Sequence, residues 1–240
     1  GKMGKIRGDA ITQSGMGSVK KVFDTNCDLI GDKKIIAASI PEIFNDDNID
    51  AVFICTPNFL IKNLVIEGLK SGKHIFAEKP PAFNAKEVEE IRLVEKLSSK
   101  KLMYGFNHRH HESIKKIKYI IDSGDMGRIL WMRGRYGKEV SVDYFKGWRA
   151  DPKLSGGGIL LDQGIHMVDL FLHLAGDFDV VHSCVSNLFW KIDGIEDNVF
   201  AVFSNSENKV CASLHSTMTQ WRYIFSLEVY LSPIGDSESS

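Results

Sequence analysis

Apolar residues along the first hundred positions fall into two spacings. Short, nearly continuous apolar runs at 49–55, 73–77 and 101–106 predict buried strands. Between them, residues 59–70 and 84–97 carry apolar side chains three and four apart, which predicts amphipathic helices. Asn84 followed by Glu87 is a capping-box start, and Gly72 is a helix stop. Shorter patterns upstream predict a helix over 5–13, strands at 19–23 and 35–38, and a helical turn at 41–44. Strands alternating with helices imply a parallel sheet covered on both faces.

From Asn107 the pattern changes. Ile114, Ile117, Ile120 and Ile121 share one side of a helix over 113–123, which Gly124 ends. A strand follows at 129–136, then an irregular stretch at 137–154 containing Tyr144, Trp148 and Arg149. Strands are expected at 180–190, 198–203, 209–216 and 222–231. Alternation in Val199/Ala201/Phe203 and in Val210/Ala212/Leu214 gives an antiparallel sheet with one buried face. The polar tail, 232–240, is expected to lack regular structure. The pattern divides the chain at 1–106 and 107–240.

The run SGGGILLDQGIHMVDLFLH is a different case. After three glycines, residues 159–174 are apolar almost all round, so one buried helix is expected there. Asp162, His166, Asp169 and His173 nevertheless recur at steps of four, three and four, on one face. Polar groups on a buried helix are costly unless paired or used. One reading is a structural hydrogen-bonded network. The other is a catalytic pair, with His166 carrying protons and Asp162 beside it.

Composition narrows the function classes. Of 240 residues, 43% are hydrophobic and 25% charged, an ordinary globular balance. A net charge of −1 gives no electrostatic footprint for nucleic acid or an anionic membrane surface. No apolar run approaches the ~20 residues needed to span a bilayer. Cys27, Cys55, Cys184 and Cys211 are scattered, which predicts buried free thiols in a reducing compartment such as the cytoplasm. His108, Arg109, His110 and His111 crowd one short segment without carboxylate or cysteine partners at useful spacing, so no metal site is expected.

Three turns carry candidate chemistry in the first half. Gly1 and Gly4, with Met3 between them, precede Asp24 by about the 20 residues that separate a phosphate-binding glycine turn from a ribose-binding acid. An acid at that position favours NAD over NADP, because it repels a 2′-phosphate. Thr56-Pro57-Asn58 and Glu78-Lys79-Pro80 each follow a strand end, where open α/β sheets bind ligands. Lys79, on stiff backbone, could hydrogen-bond a substrate hydroxyl.

In this order, the Gly1–Gly4 turn, Asp24, Thr56-Pro57-Asn58, Glu78-Lys79-Pro80, Gly105-Phe106-Asn107 with Arg109, and the glycine run leading to Asp162, His166 and Asp169 resemble the glucose–fructose oxidoreductase / inositol dehydrogenase / rhizopine-catabolism (Gfo/Idh/MocA) family. The resemblance implies a Rossmann-type doubly wound parallel sheet, followed by an α+β domain with a large, mainly antiparallel open sheet. It implies Lys79, Asp162 and His166 as catalytic groups, with a cis Lys79–Pro80 bond. It implies NAD contacts from Gly1, Met3, Gly4, Asp24, Thr56, Pro57, Asn58, Glu78 and Lys79. Asn107, Arg109, Tyr136, Trp148 and Arg149 are further candidates for the substrate wall. A homodimer or homotetramer packed through the antiparallel sheet is also implied. The family has a first strand and first glycine ahead of Gly1, and more strands beyond about residue 230, so the chain is expected to be truncated at both ends. Ile61 stands near where the family usually has a histidine.

The expected activity is NAD-dependent hydride transfer at a secondary hydroxyl of a sugar, sugar nucleotide or cyclitol. The substrate is a small molecule, with no nucleic acid and no membrane. Two alternatives share the fold. One is an NAD-dependent glycosidase, which would release reducing sugar without net NADH. The other is a catalytically silent NAD- or sugar-sensing regulator, against which Lys79 and His166 argue.

Overall fold

Three short strands, β1 (Ala51–Ile54), β2 (His74–Ala77) and β3 (Leu102–Tyr104), pair in parallel in the order β1-β2-β3. They come from a computed structural model that describes residues 1–232 and divides the chain into two units, Gly1–Gly105 and the part from Phe106 onward. Helix α1 (Lys2–Ser14) and the one-turn α2 (Ile40–Phe44) precede β1; α3 (Asn58–Lys70) joins β1 to β2, and α4 (Ala85–Leu97) joins β2 to β3. Ile54, Ile61, Val65, Leu69, Ile75, Ala77 and Ile91 form the core between sheet and helices. Helix α3 approaches the sheet closely because Gly68 has no side chain; a Cβ there would sit 2.4 Å from Ile75 Cδ1. Asn84 caps α4 as expected, its Oδ1 accepting the Glu87 N–H at 3.0 Å, while the return bond falls one residue earlier than in a regular capping box, Glu87 Oε2 accepting the Phe83 N–H at 3.0 Å.

Upstream of β1 the expected strands at 19–23 and 35–38 reduce to one parallel bridge, Val22 to Ile36. The cause is local. Asn26 and Asp32 accept the backbone N–H groups of Asp28 and Lys34, and so turn Cys27–Leu29 and Lys33–Ile35 into single 3-10 turns. Only Val22 and its neighbours keep ladder bonds, Val22 N–H to Ile35 O at 2.8 Å and Ala37 N–H to Val22 O at 2.9 Å.

The second unit is built on five strands: β4 (Ile129–Glu139), β5 (Val180–Ser186), β6 (Asn198–Ser204), β7 (Cys211–Thr217) and β8 (Thr219–Leu231). Their order is β5-β6-β7-β4-β8, antiparallel throughout except for the parallel β4–β7 pair. Helices α5 (Glu112–Ser123) and α7 (Ile165–Ala175) bury the inner face. Ile114, Met132, Met167, Leu170, Phe171, Ala212 and Leu214 make that core. The expectation for 232–240 falls, apart from Ser232, outside the described residues; Ser232 itself donates its N–H to Arg128 O at 2.9 Å.

Four expectations are corrected here. The helix over 159–174 is not continuous: a π turn, Leu160–Gly164, precedes α7. Strand β4 runs past residue 136 to Glu139, and the stretch after it holds two 3-10 turns, Val142–Lys146 and Trp148–Ala150, and the short helix α6 (Pro152–Ser155). Strand β5 ends at Ser186, because the next residues gather their amides around the Asp197 carboxylate. Three of the four thiols, Cys27, Cys184 and Cys211, are exposed, and Cys55 is half-buried. Cys184 lies opposite Phe200, on the sheet face turned away from the core.

Gly134 lies on β4 directly beneath α7. A Cβ there would meet Met167 Cγ at 2.4 Å and Phe171 Cζ at 2.8 Å. Gly134→Ala is expected to destabilise the protein by about 1–3 kcal/mol through overpacking. Gly147→Ala, with nothing within 4 Å of the added methyl, should stay within about 0.5 kcal/mol of the parent. Thermal melts of both variants check this.

Candidate functional site

Asp162 sits in the π turn, and its side chain is held from two directions. The Lys138 ammonium, near the end of β4, donates to Oδ2, and the Tyr144 hydroxyl donates to the same oxygen at 2.7 Å. Arg149 Nε is 4.0 Å from Oδ1 and its guanidinium lies over the Trp148 ring, 4.4 Å from the centroid. Burial pushes the Tyr144 phenol well above its usual range, and the Asp162 charge adds to the shift, so the hydroxyl remains a donor. An extra residue in a helix re-aims the side chains before it relative to those after it. The π turn therefore takes Asp162 out of the simple one-face register with His166, Asp169 and His173.

His166, in the first turn of α7, is 6% exposed. Its ring lies 4.6 Å from that of His108 and 6.0 Å edge-on from Phe106, with Tyr136 on the third side at 6.2 Å. The Tyr136 hydroxyl is 3.3 Å from His108 Nε2 and accepts from Tyr223 at 3.0 Å. Asp169, one turn on, binds Arg109 through both carboxylate oxygens. At Asp169 the stripe is thus a structural network, and Arg109 from the Asn107–His110 turn is its partner.

In the first unit, the remaining candidates gather along the carboxyl edge of the parallel sheet. Thr56-Pro57-Asn58 follows β1, Glu78-Lys79-Pro80 follows β2 and Gly105 follows β3. The Lys79–Pro80 bond is cis. Glu78 is fixed by Arg7, whose Nε and Nη2 both approach Oε1 at 2.8 Å. Gly105 packs on that pair; a Cβ there would be 2.8 Å from Glu78 Oε2. Gly4 of α1 lies against Cys55 at the end of β1, and Met3, beside it, is partly exposed. The Gly1 nitrogen reaches the Asp24 carboxylate, which also accepts the Asn26 N–H at 2.9 Å. Thr56 Oγ1 is buried with no partner among the described residues. Burial, and then the Glu78 charge, push the Cys55 thiol up to about 11, so it stays protonated and inert.

Sequence reading passed over Lys138, Tyr144 as a ligand of Asp162, and His108 as a neighbour of His166. Lys138 had a signal: Met132, Gly134 and Tyr136 face the helix at period two, and Lys138 continues that count. The packing of His108 against His166 crosses many residues of sequence and left none.

A parallel α/β unit with its turns collected at one sheet edge, joined to an α+β unit whose buried helix carries histidine and carboxylate, is the architecture of a two-domain oxidoreductase. The chain belongs to the Gfo/Idh/MocA oxidoreductase family. Residues 13–107 match the family's NAD-binding Rossmann-fold model, and residues 114–232 match its C-terminal domain. Levoglucosan dehydrogenase of Pseudarthrobacter phenanthrenivorans is 34% identical, over 60% of this chain and 37% of its own length. Inositol 2-dehydrogenase of Rhizobium meliloti is 28% identical, over 96% of this chain and 70% of its own. A solved levoglucosan dehydrogenase in complex with NADH and levoglucosan superposes with a TM-score of 0.77 at 27% identity, over 82% of this chain and 56% of that one. The chain spans about half the length of several curated relatives it matches. Among the described residues, no helix is long and apolar enough to cross a membrane.

His173, which closes the polar stripe, and His215, on the outer sheet face, both titrate below the ordinary histidine value of 6.5, chiefly because burial penalises the charged ring. The unfolded chain therefore binds these protons more readily. Stability from the two rings is complete above pH 6.5 and is lost as the pH falls through their folded values. Melting temperature should fall between pH 7 and pH 5, and fall less in a His173→Gln/His215→Gln variant; melts across that range check it.

Proposed function

We propose that the full protein transfers a hydride between NAD and a secondary hydroxyl of a sugar, sugar nucleotide or cyclitol. The observation that carries this reading is the buried His166 following a π turn whose Asp162 is clamped by Lys138 and Tyr144, on a family scaffold whose relatives include levoglucosan and inositol dehydrogenases. Residues 1–106 are assigned the nucleotide and residues 107–240 the substrate. Nucleotide binding is supported by Gly4 against the end of β1 and by the Thr56 hydroxyl, which has no partner among the described residues, at the same sheet edge; Gly1 and Asp24 are placed in the same role. Met3, Pro57, Asn58, Glu78 and Lys79 are placed beside them in the binding role. NAD, when bound, supplies the hydride acceptor.

The protein's part is protonic and electrostatic. His166 removes the hydroxyl proton, because imidazole is the side chain whose basicity matches neutral pH. Asp162 does not compete for that proton: an ammonium and a phenol already occupy it, and it serves to orient the site. Lys79 holds the hydroxyl oxygen and offsets the negative charge that develops there. Asn107, Tyr136, Trp148 and Arg149 line the substrate side, with Arg109 held behind them by Asp169.

Calorimetry on the full protein should give tight NAD and weak NADP binding, with the preference lost in Asp24→Ala. NADH should appear with at least one sugar or cyclitol, and His166→Ala should lower kcat by about 10²–10⁴ while NAD binding is retained. Failure of both nucleotides to bind would refute the assignment.

The protein is also assigned to the cytoplasm, which four free cysteines support, and to a homodimer or homotetramer. The outer face of the five-stranded sheet exposes Trp131, Phe200, Val202 and Tyr230, with the Arg133–Glu228 pair among them. An exposed sheet face that mixes large apolar side chains with a charged pair suits a second copy of itself. Phe200→Glu with Val202→Glu should reduce the mass measured by light scattering to that of a smaller species; a parent protein that is monomeric at micromolar concentration would refute the interface.

A further inference from the structure

Three consecutive amides open the helix that carries Asp162 and His166, and one residue from a distant loop takes all three. Glu196 Oε2 accepts the Gly158 N–H at 2.6 Å, and Oε1 accepts the Leu160 N–H at 2.9 Å. Its backbone carbonyl accepts the Ile159 N–H at 3.0 Å. These are the donors a helix start leaves without intrahelical partners, and a carboxylate is the strongest side-chain acceptor for them. The fit leaves no slack: a Cβ on Gly158 would lie 2.0 Å from the Glu196 carbonyl oxygen.

The line continues into the site. The Gly158 carbonyl accepts the Asp162 N–H at 3.0 Å, so the Glu196 carboxylate, the Gly158 residue and the Asp162 backbone form one hydrogen-bonded series. Glu196 is itself immobilised from behind. Its neighbour Asp197 is 1% exposed, and the Asp197 carboxylate takes the N–H groups of Leu188, Phe189 and Trp190 at 3.3, 2.8 and 3.0 Å. The Asp197 backbone is bonded to Ser186 and Met218, at 3.0 and 2.9 Å.

We propose that Glu196 is a positioning residue for the reaction. It fixes where the helix begins, so that the π turn presents Asp162 to Lys138 and Tyr144 and sets the start of α7 at His166. Its catalytic readout rests on the function proposed above, but the clamp itself can be read without turnover.

The test compares the full protein with Glu196→Gln, which keeps one acceptor oxygen, and Glu196→Ala, which keeps none. Amide hydrogen exchange by NMR should accelerate at Gly158, Leu160 and Asp162 in the Ala variant while the β4 and β7 amides hold their protection. With sugar and NAD, kcat per folded molecule should fall about tenfold in Gln and about a hundredfold in Ala, because misplacement of about 1 Å costs that much. KM for NAD should stay within about twofold, and added formate should restore the Ala variant severalfold while leaving the low kcat of His166→Ala unchanged. A merely structural role would lower the melting temperature with no formate response and unchanged kcat in the folded fraction, and that result overturns the proposal. Unchanged exchange at Gly158 and Leu160 overturns it also. If the parent binds NAD but oxidises no sugar, the functional reading fails, and exchange alone decides the clamp.

Discussion

The second unit depends on how near one helix can come to one sheet. Residues 159–175 rest on β4 and β7, and at two points one of the facing residues is a glycine. At Gly134 the space of a missing methyl is filled by Met167 and Phe171; at Gly164 it is filled by Ser216 and Leu160. Dispersion falls off steeply with separation, so a helix seated this closely gains contact that any larger residue would forfeit. The same seating puts the His166 ring against His108 and Tyr136, residues that precede it by some sixty and thirty positions. The site's geometry is thus a consequence of glycine placement before it is a consequence of polar chemistry.

Close seating alone would leave Asp162 and Asp169 as charges beside an apolar core, which is expensive. Each is answered by a cation from a different element: Lys138 of β4 for Asp162, and Arg109 of the Asn107–His110 turn for Asp169. The two pairs differ in kind. Asp169 with Arg109 is a bidentate fork, rigid and closed. Asp162 gathers an ammonium and a phenol on one carboxylate oxygen, with the Gln163 amide at 3.4 Å and a guanidinium at 4.0 Å, and donors from β4 and from the turn after it lock an orientation that neither the π turn nor β4 could hold alone.

Much of this was legible in the order of residues. Short continuous apolar runs located β1 and β2, and period 3.6 located α3 and α4, because burial against the sheet imposes those patterns. What failed was local competition: the turn over Lys33–Ile35, capped by Asp32, takes the first residue of the strand expected at 35–38 and the Ile36 amide. The break in the long helix was hidden because apolar residues all round give no phase from which an added residue could be noticed. Lys79, Asp162 and His166 stood out as motifs with an order. Lys138 was recoverable by counting along β4, whereas Glu196 was not: its role arises from backbone amides, which have no sequence signature, reached across 38 positions.

The two units carry their chemistry in different ways, and this bears on where substrate preference resides. In the first, the turns after β1, β2 and β3 are shaped by backbone: a cis bond at Pro80, a proline at 57, and a glycine at 105 that any side chain would drive into Glu78. Such turns tolerate little change and suit one invariant ligand. In the second, the stretch between β4 and α6 consists of short turns bearing Tyr144, Trp148 and Arg149 at the rim of Asp162. Tyr144 is tied to Asp162 and packs on the Ile159 cluster, whereas Arg149 stands 4.0 Å from that carboxylate and over the Trp148 ring, so substitution at Trp148 or Arg149 alters the rim while Glu196 and the glycines still hold the helix. On the proposed reading, the Asp24 carboxylate of the first unit selects NAD over NADP, and the side chains of that rim set sugar choice.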